Sequence, residues 1–283
     1  MKKVCLFILL CAATIVSGRT FTLPLYEFPP SRSNGITDPE YTDDKGHVFN
    51  VSLPTLEIYL PENQENIPCM LTIPGGGYQY VSMKNEGLLV AERLTKESIA
   101  VAVLKYRLPN GHAGVPLSDA QRAMEILRDS AEQWKINKNR IGVMGFSAGG
   151  HLAACLLTQF KSPKTRPDFG ILVYPITSLD LAYTHAESRH RLLGDTYPSM
   201  FPYRYSPVER VSSNTPPCVI FACQDDRSVP VKNSIVFYEQ LTANGVQAEL
   251  HIYPKGGHGW GFDRTFPDRV SFEHTVINWI ENH

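Results

Sequence analysis

Short apolar runs and amphipathic stretches alternate along most of this chain. Leu53 to Leu60 alternates apolar and polar residues, the pattern of a half-exposed edge strand. Cys69 to Ile73 predicts a compact buried strand ending at Pro74, and Ile99 to Leu104 predicts another, with helical spacing from Glu86 to Lys96 between them. Asp119 to Trp134 predicts a long amphipathic helix, with Ala120, Ala123, Ile126 and Leu127 on one face and Ser118 as its cap. Further strands are predicted at Arg140 to Met144, Phe169 to Tyr174, Pro217 to Cys223 and Ala248 to Tyr253. Helices are predicted at His151 to Leu157, Ser234 to Ala243 and Val270 to Ile280. This alternation predicts an α/β fold, a mainly parallel central sheet covered by helices on both faces.

Two stretches break the rhythm. From Phe21 to about Val51 the chain is polar and rich in Pro, Asp and Gly, and reads as an irregular lead-in. Ile176 to Ser213 lacks clean periodicity and carries Tyr183, His185, Tyr197, Phe201, Tyr203 and Tyr205 among Pro, Ser and Arg. An insertion of that length after a strand reads as a lid or binding loop.

Residues 1–18 read as an export signal: Lys2 and Lys3 form a positive start, Val4 to Val16 is almost wholly apolar but short for a bilayer span, and Ser17-Gly18 offers small residues near a cleavage point. An uncleaved membrane anchor, or a lipid anchor at Cys11 after the bulky Leu10, are the weaker alternatives. The domain plan is therefore a signal at 1–18, a lead-in at 19–50 and one α/β domain at 51–283. A chain of 283 residues with 43 % hydrophobic residues is long enough for one such domain. A formal net charge of −1 with no basic cluster gives no support to nucleic-acid binding, and no membrane association is expected after signal removal. Cys69, Cys155, Cys218 and Cys223 lie in apolar segments without metal-like spacing and read as buried thiols, although export leaves one disulfide possible.

Gly145-Phe146-Ser147-Ala148-Gly149-Gly150 stands between a predicted strand and a predicted helix of small residues. A strand that turns straight into a helix must bend within two residues. The serine at the apex then takes strained angles between flanks where only glycine fits, and its hydroxyl is exposed above the sheet beside unpaired helix N–H groups. Serine is a poor nucleophile until a base takes its proton. His258, within Gly256-Gly257-His258-Gly259-Trp260-Gly261 after the last strand, is the candidate. His151 sits inside the serine helix and suits packing or capping, His251 lies within a strand, and His112, His185, His190 and His274 lack a glycine frame.

The imidazole needs a carboxylate to hold its tautomer. After the Pro217 to Cys223 strand come Asp225 and Asp226; Asp226, three residues before Val229, has the spacing that aims an acid inward, with Asp225 structuring the loop. N–H donors for an oxyanion are expected from Ala148 and from the glycines of Pro74-Gly75-Gly76-Gly77-Tyr78, principally Gly76 and Gly77. No Gly-Lys-Ser/Thr follows that loop, so phosphate cradling is the weaker reading. Tyr78 and Trp260, next to these loops, are expected to wall a small acyl pocket, against the plain alternative that they pack in the core. The pattern calls for no cofactor and no metal.

These residues resemble the α/β-hydrolase superfamily, and most closely its acetyl-xylan-esterase-like and feruloyl-esterase-like bacterial carbohydrate esterases. The resemblance covers about residues 50–283. It is carried by Pro74-Gly75-Gly76-Gly77-Tyr78, Tyr106-Arg107-Leu108, the Gly145 to Ala153 run, Asp226-Arg227-Ser228-Val229-Pro230 and the Gly256 to Phe262 run. Pro74 departs from hormone-sensitive-lipase-like relatives, which have His there. The resemblance implies the α/β-hydrolase fold and a serine esterase using Ser147, Asp226 and His258. The implied substrate is an acylated carbohydrate or other small ester, with acetyl the leading acyl group and feruloyl the alternative. A lipase, a peptidase of the same fold and a non-catalytic binding protein fit less well. The insertion is too polar for a lipase lid, the lead-in too short for a propeller, and a binding module has no need of all three residues.

Overall fold

The computed structural model describes residues 18–283 except 28, 29, 31 and 63; the predicted signal at 1–18 lies, but for Gly18, outside the described residues. The strands among them are β1 (Gly18–Pro24), β2 (Tyr41–Thr42), β3 (His47–Phe49), β4 (Thr55–Pro61), β5 (Ile67–Ile73), β6 (Tyr80–Ser82), β7 (Ala100–Lys105), β8 (Ile136–Phe146), β9 (Gly170–Val173), β10 (Cys218–Cys223) and β11 (Ala248–Tyr253). The α-helices are α1 (Leu89–Leu94), α2 (Gly114–Asp129), α3 (Ser147–Thr158), α4 (Ala186–Leu193), α5 (Phe201–Arg204), α6 (Lys232–Ala243) and α7 (Arg269–Asn282).

The main sheet runs β1-β4-β7-β5-β8-β9-β10-β11, antiparallel at β1–β4 and β4–β7 and parallel from β7 to β11. Strand alternation sorts the core into two layers. Leu71 and Ile73 of β5 and Ile141 and Val143 of β8 face one side with α2, α3 and α6, through Ala123, Leu127, Leu152, Leu156 and Phe237. Met70, Met144 and Phe146 face the other, with Val90 and Leu94 of α1 and Phe272, Val276 and Ile280 of α7. This is the doubly covered, mainly parallel α/β fold that the hydrophobic pattern predicts.

Several expectations change. The lead-in is irregular only in part: the described residues of 25–40 carry no strand or helix, but β1 pairs along its whole length with β4, so Thr55–Pro61 is the second strand and the edge belongs to residues before it. β2 and β3 join β6 in a separate three-stranded sheet. α2 begins at Gly114, and Ser118 lies inside it, its hydroxyl donating to the Val115 carbonyl at 2.7 Å rather than capping. That helix ends at Asp129, short of Trp134, and β8 is longer than predicted at both ends. The 176–213 insertion holds α4 and α5. Cys69, Cys155, Cys218 and Cys223 are buried free thiols.

Tyr106-Arg107-Leu108 anchors this frame below the site. Arg107 and Asp119 form an ion pair with side chains only 1 % and 0 % exposed. Arg107 also donates through its guanidinium to the Arg32 carbonyl, tying the lead-in to the sheet. Asn34 adds bonds from Nδ2 to the Val51 and Leu108 carbonyls at 2.9 and 2.8 Å.

Candidate active site

The β8–α3 junction is the tight turn the glycine spacing predicts. Ser147 is the first residue of α3 and has φ of +53°, a left-handed conformation that costs a non-glycine residue on the order of 1–3 kcal/mol. The glycines two residues to either side cannot be given side chains. A Cβ on Gly145 would lie 2.4 Å from the Gly149 carbonyl oxygen, and one on Gly149 would lie 2.2 Å from that of Ile73. α3 therefore packs directly on the end of β5, and its N-terminus points where the serine hydroxyl stands.

The turns after β10 and β11 bring two further groups to that hydroxyl. Ser147 Oγ lies 2.7 Å from His258 Nε2, and His258 Nδ1 lies 2.6 Å from Asp226 Oδ2. A carboxylate can only accept, so Nδ1 carries the proton and Nε2 is left free to accept from the serine. The other oxygen, Asp226 Oδ1, accepts from the Ser228 and Val229 amides at 2.9 Å each, which fixes the carboxylate's plane. Asp225 turns the other way and accepts from the Gly257 and Gly256 amides at 2.8 and 3.4 Å, bracing the histidine loop.

The turn after β5 supplies the facing wall. The Gly76 carbonyl accepts from the Gln79 and Tyr80 amides at 2.9 and 3.2 Å, and Tyr106 Oη donates to the Pro74 carbonyl at 3.0 Å. No described residue accepts from the Gly76 or Gly77 amides. Ala148, second in α3, has an N–H with no intrahelical partner. Ser147, His258, Gly76 and Gly77 line a cavity of about 290 Å³, which His47, Tyr80 and His185 close from the small sheet and the insertion. Burial and the neighbouring imidazole of His258 hold His185 below the ordinary histidine range.

Glu86 was not singled out by any motif, yet it joins the two loops. Its Oε2 accepts from the Gly75 amide at 2.7 Å and its Oε1 from Tyr174 Oη at 2.7 Å, and Tyr174 Oη in turn accepts from the Gly261 amide at 2.8 Å. The Tyr174 ring lies against His258, with centroids 4.6 Å apart. Burial pushes the Glu86 carboxyl upward, opposed by the bonds from Tyr174 and Gly75 and by His258. A single glutamate in a helical pattern carries no sequence signal for this, because its partners are distant in the chain. His47 and His185 likewise lacked any pattern that placed them at the cavity.

Tyr78 and Trp260 do not wall the cavity. Tyr78 is 3 % exposed, and its hydroxyl bonds His151 Nδ1 at 2.7 Å beneath the loop. Trp260 is 6 % exposed and stacks on Phe266 at 4.0 Å in the core. A left-handed φ of +58° at Tyr78 sends the side chain inward, where α3 receives it. His151 completes that contact by donating from Nε2 to the Tyr205 carbonyl at 2.7 Å, and burial lowers its pKa to about 4. It is a neutral packing histidine.

The BD-FAE family model matches residues 56–241. The chain is 40 % identical over 230 residues to the acetylxylan esterase of Xylanibacter ruminicola, covering 79 % of this chain and 47 % of that protein. It is 32 % identical over 251 residues to endo-1,4-beta-xylanase B of Butyrivibrio fibrisolvens, covering 84 % of this chain and 39 % of that protein. The chain thus spans less than half the length of these two curated relatives. Among solved structures, the acetyl ester-xyloside bifunctional hydrolase from Caldicellulosiruptor lactoaceticus superposes with a TM-score of 0.78 at 33 % identity, over 96 % of this chain and 98 % of that one. The extent of the family match and the shared architecture make this chain a member of the BD-FAE family of α/β-hydrolases.

Proposed function

We propose that this protein is an exported serine esterase that removes acetyl groups from xylan or its oligosaccharides. The observation that carries this reading is the continuous hydrogen-bonded chain from Ser147 through His258 to Asp226, set opposite the free amides of the glycine loop. Ser147 Oγ attacks the acyl carbonyl while His258 Nε2 takes its proton, and Asp226 stabilises the imidazolium that forms. The oxyanion is received by the amides of Ala148, Gly76 and Gly77, where one such donor contributes roughly 2.7–4 kcal/mol, aided by the N-terminal dipole of α3. Collapse breaks the bond to the sugar oxygen, which leaves with the proton from His258. Water, deprotonated by the same nitrogen, then cleaves the acyl-enzyme and releases acetate. No metal or cofactor enters this sequence of steps.

A cavity of about 290 Å³ is at the small end for ligand sites and suits a short acyl group. The xylan-acting names of the relatives at 40 % and 32 % identity support the carbohydrate half of the substrate. Export rests on Lys2, Lys3 and the apolar run from Val4 to Val16; among the described residues no helix is long and apolar enough to cross a membrane. Initial rates on acetylated xylan, methyl ferulate and p-nitrophenyl esters of increasing chain length test the reading. Acetylated xylan and the acetyl ester are expected to be cleaved fastest. Faster cleavage of methyl ferulate would transfer the protein to feruloyl-ester hydrolysis, and a preference for octanoyl esters would contradict the small acyl group. Export is tested by expressing the full chain with its first residues and locating the mature protein; retention in the cytoplasm would refute it.

A further inference from the structure

We propose that the groove beside the catalytic cavity is the seat of the substrate's glycan chain, the alcohol side of the ester; this rests on the acetyl-esterase reading above. The groove encloses about 710 Å³, well over the volume of the catalytic cavity and within the usual range for a bound organic ligand. Two segments of the chain run from one space into the other. The turn after β5 gives Gly76 and Gly77 to the catalytic cavity, Tyr78 to the groove and Gln79 to both. The insertion does the same. His185, the cap of α4, faces the catalytic cavity, and His190 lines the groove after about 8 Å of helix rise, followed by Gly194 to Thr196.

The opposite wall is held in place before any ligand arrives. Asn110 Nδ2 donates to the Asn34 carbonyl at 3.0 Å, and the Asn110 carbonyl is 3.0 Å from His112 Nδ1. The Gly111 amide donates to the Arg191 carbonyl at 2.9 Å, joining this wall to α4. A groove with both walls tied loses little freedom on binding.

Its chemistry selects the class of ligand. The Gln79 amide, the Thr196 hydroxyl, the His112 and His190 rings and the Asp195 carboxylate offer donors and acceptors side by side. Asp195 stands 3.8 Å from His190, and acidic and basic groups occur together, so no single sign dominates. A long acyl tail needs an apolar lining, and a polyanion needs concentrated positive charge. The hydroxyls of a neutral sugar chain both donate and accept, and match this lining. The acetyl group then enters the small cavity while the chain it decorates lies along α4.

The test compares p-nitrophenyl acetate, monoacetylated xylose and acetylated xylotriose on the full-length enzyme. Wild type should show kcat/KM rising about tenfold from xylose to xylotriose, chiefly through KM, the equivalent of one or two added hydrogen bonds. Thr196→Trp, which fills the groove, and His190→Ala, which strips its wall, are both exposed changes. Each should lower the ratio of kcat/KM on acetylated xylotriose to that on p-nitrophenyl acetate, by about tenfold for the tryptophan. A wild type indifferent to chain length, or an unchanged ratio in both variants, overturns the groove assignment while leaving the esterase intact. Inactivity of wild type on all three acetyl esters instead removes the esterase reading and the groove with it.

Discussion

The turns after β5, β8, β10 and β11 and the cover formed by residues 18–50 and 176–213 meet at one cavity from opposite sides, and they are held by different means. In the turns, each candidate reacting group stands within five residues of the end of a main-sheet strand and is fixed by bonds of 2.6 to 2.9 Å, as with Asp226 to His258 and Asp226 to the Val229 amide. In the cover, the part of the lead-in that reaches the cavity is the small sheet, whose strands are only two or three residues long and carry stacked rings, Tyr41 on Phe49 at 4.8 Å and His47 on Tyr80 of β6 at 4.2 Å. β1 and the bonds at Arg32 and Asn34 tie the rest of the lead-in to the main sheet. Bond-making chemistry needs its groups held to a fraction of an ångström, which short turns on a rigid sheet provide. Substrate selection needs surface and shape, which a cover can change without moving the nucleophile.

The division is broken most directly by comparing catalytic loss on the two sides. Ser147→Ala and His258→Ala should each lower kcat on the order of 10⁶-fold with little change in the thermal midpoint, as removal of such groups does elsewhere. His47→Ala, on the cover, should cost far less. If the two sides lost comparable activity in steady-state assays, the separation of chemistry from selection would fail.

Within the turns the contrast sharpens between adjacent acids. Asp226→Asn should cost on the order of 10⁴-fold by leaving His258 in the wrong tautomer. Asp225→Asn loosens only the brace at Gly256 and Gly257 and should cost much less. A reversed order of the two variants in kcat would mean that the carboxylates are assigned the wrong way round.

Where turn and cover join, His151 lies between Tyr78 of the glycine turn and Tyr205 of the insertion. Its folded pKa of about 4 stands below the ordinary value of 6.5. The unfolded chain therefore takes up a proton that the folded one refuses, and stability is lost as pH falls from about 6.5 towards 4. The full loss is roughly 3 kcal/mol. Urea unfolding across that range should show it in wild type, and His151→Gln should flatten it; an equal slope in both proteins would exclude His151 as the cause.

Glu86 gives the smallest of these effects, because it acts through other groups. Glu86→Gln keeps one acceptor where the carboxylate offered two, so either the Gly75 amide or Tyr174 Oη loses its partner. A fall in kcat of about tenfold with KM nearly unchanged is expected, since one lost bond to a charged group is worth about 1.5–3 kcal/mol and part of it is recovered by rotation. Tyr174→Phe, which leaves both the Gly261 amide and Glu86 Oε1 without their partner, should lower kcat in the same way. A change confined to KM in both variants would place Glu86 in substrate binding instead of loop alignment.

The sequence by itself determined the parallel α/β core and the turn residues. β11 coincides with its predicted limits, and Ser147, His258, Gly76 and Gly77 line one cavity, with Asp226 bonded behind His258 and Ala148 next to Ser147 in α3. These features leave a local mark, because a buried strand such as β10 requires an unbroken apolar run, a half-exposed edge strand such as β11 alternates apolar and polar residues, and a crowded turn admits glycine alone. Only the tertiary structure decided the rest. β1 is recognisable once β4 lies beside it, since an edge strand need not hide both faces, and β2 and β3 are too short to show any period. The inward aim of Tyr78 and Trp260 depends on backbone angles and on waiting partners in α3 and the core, none of which spacing encodes. Glu86 shows the same limit. Its role is the sum of bonds to Gly75 and Tyr174, residues far from it in sequence, and a side chain's distant neighbours are set only when the whole sheet has closed.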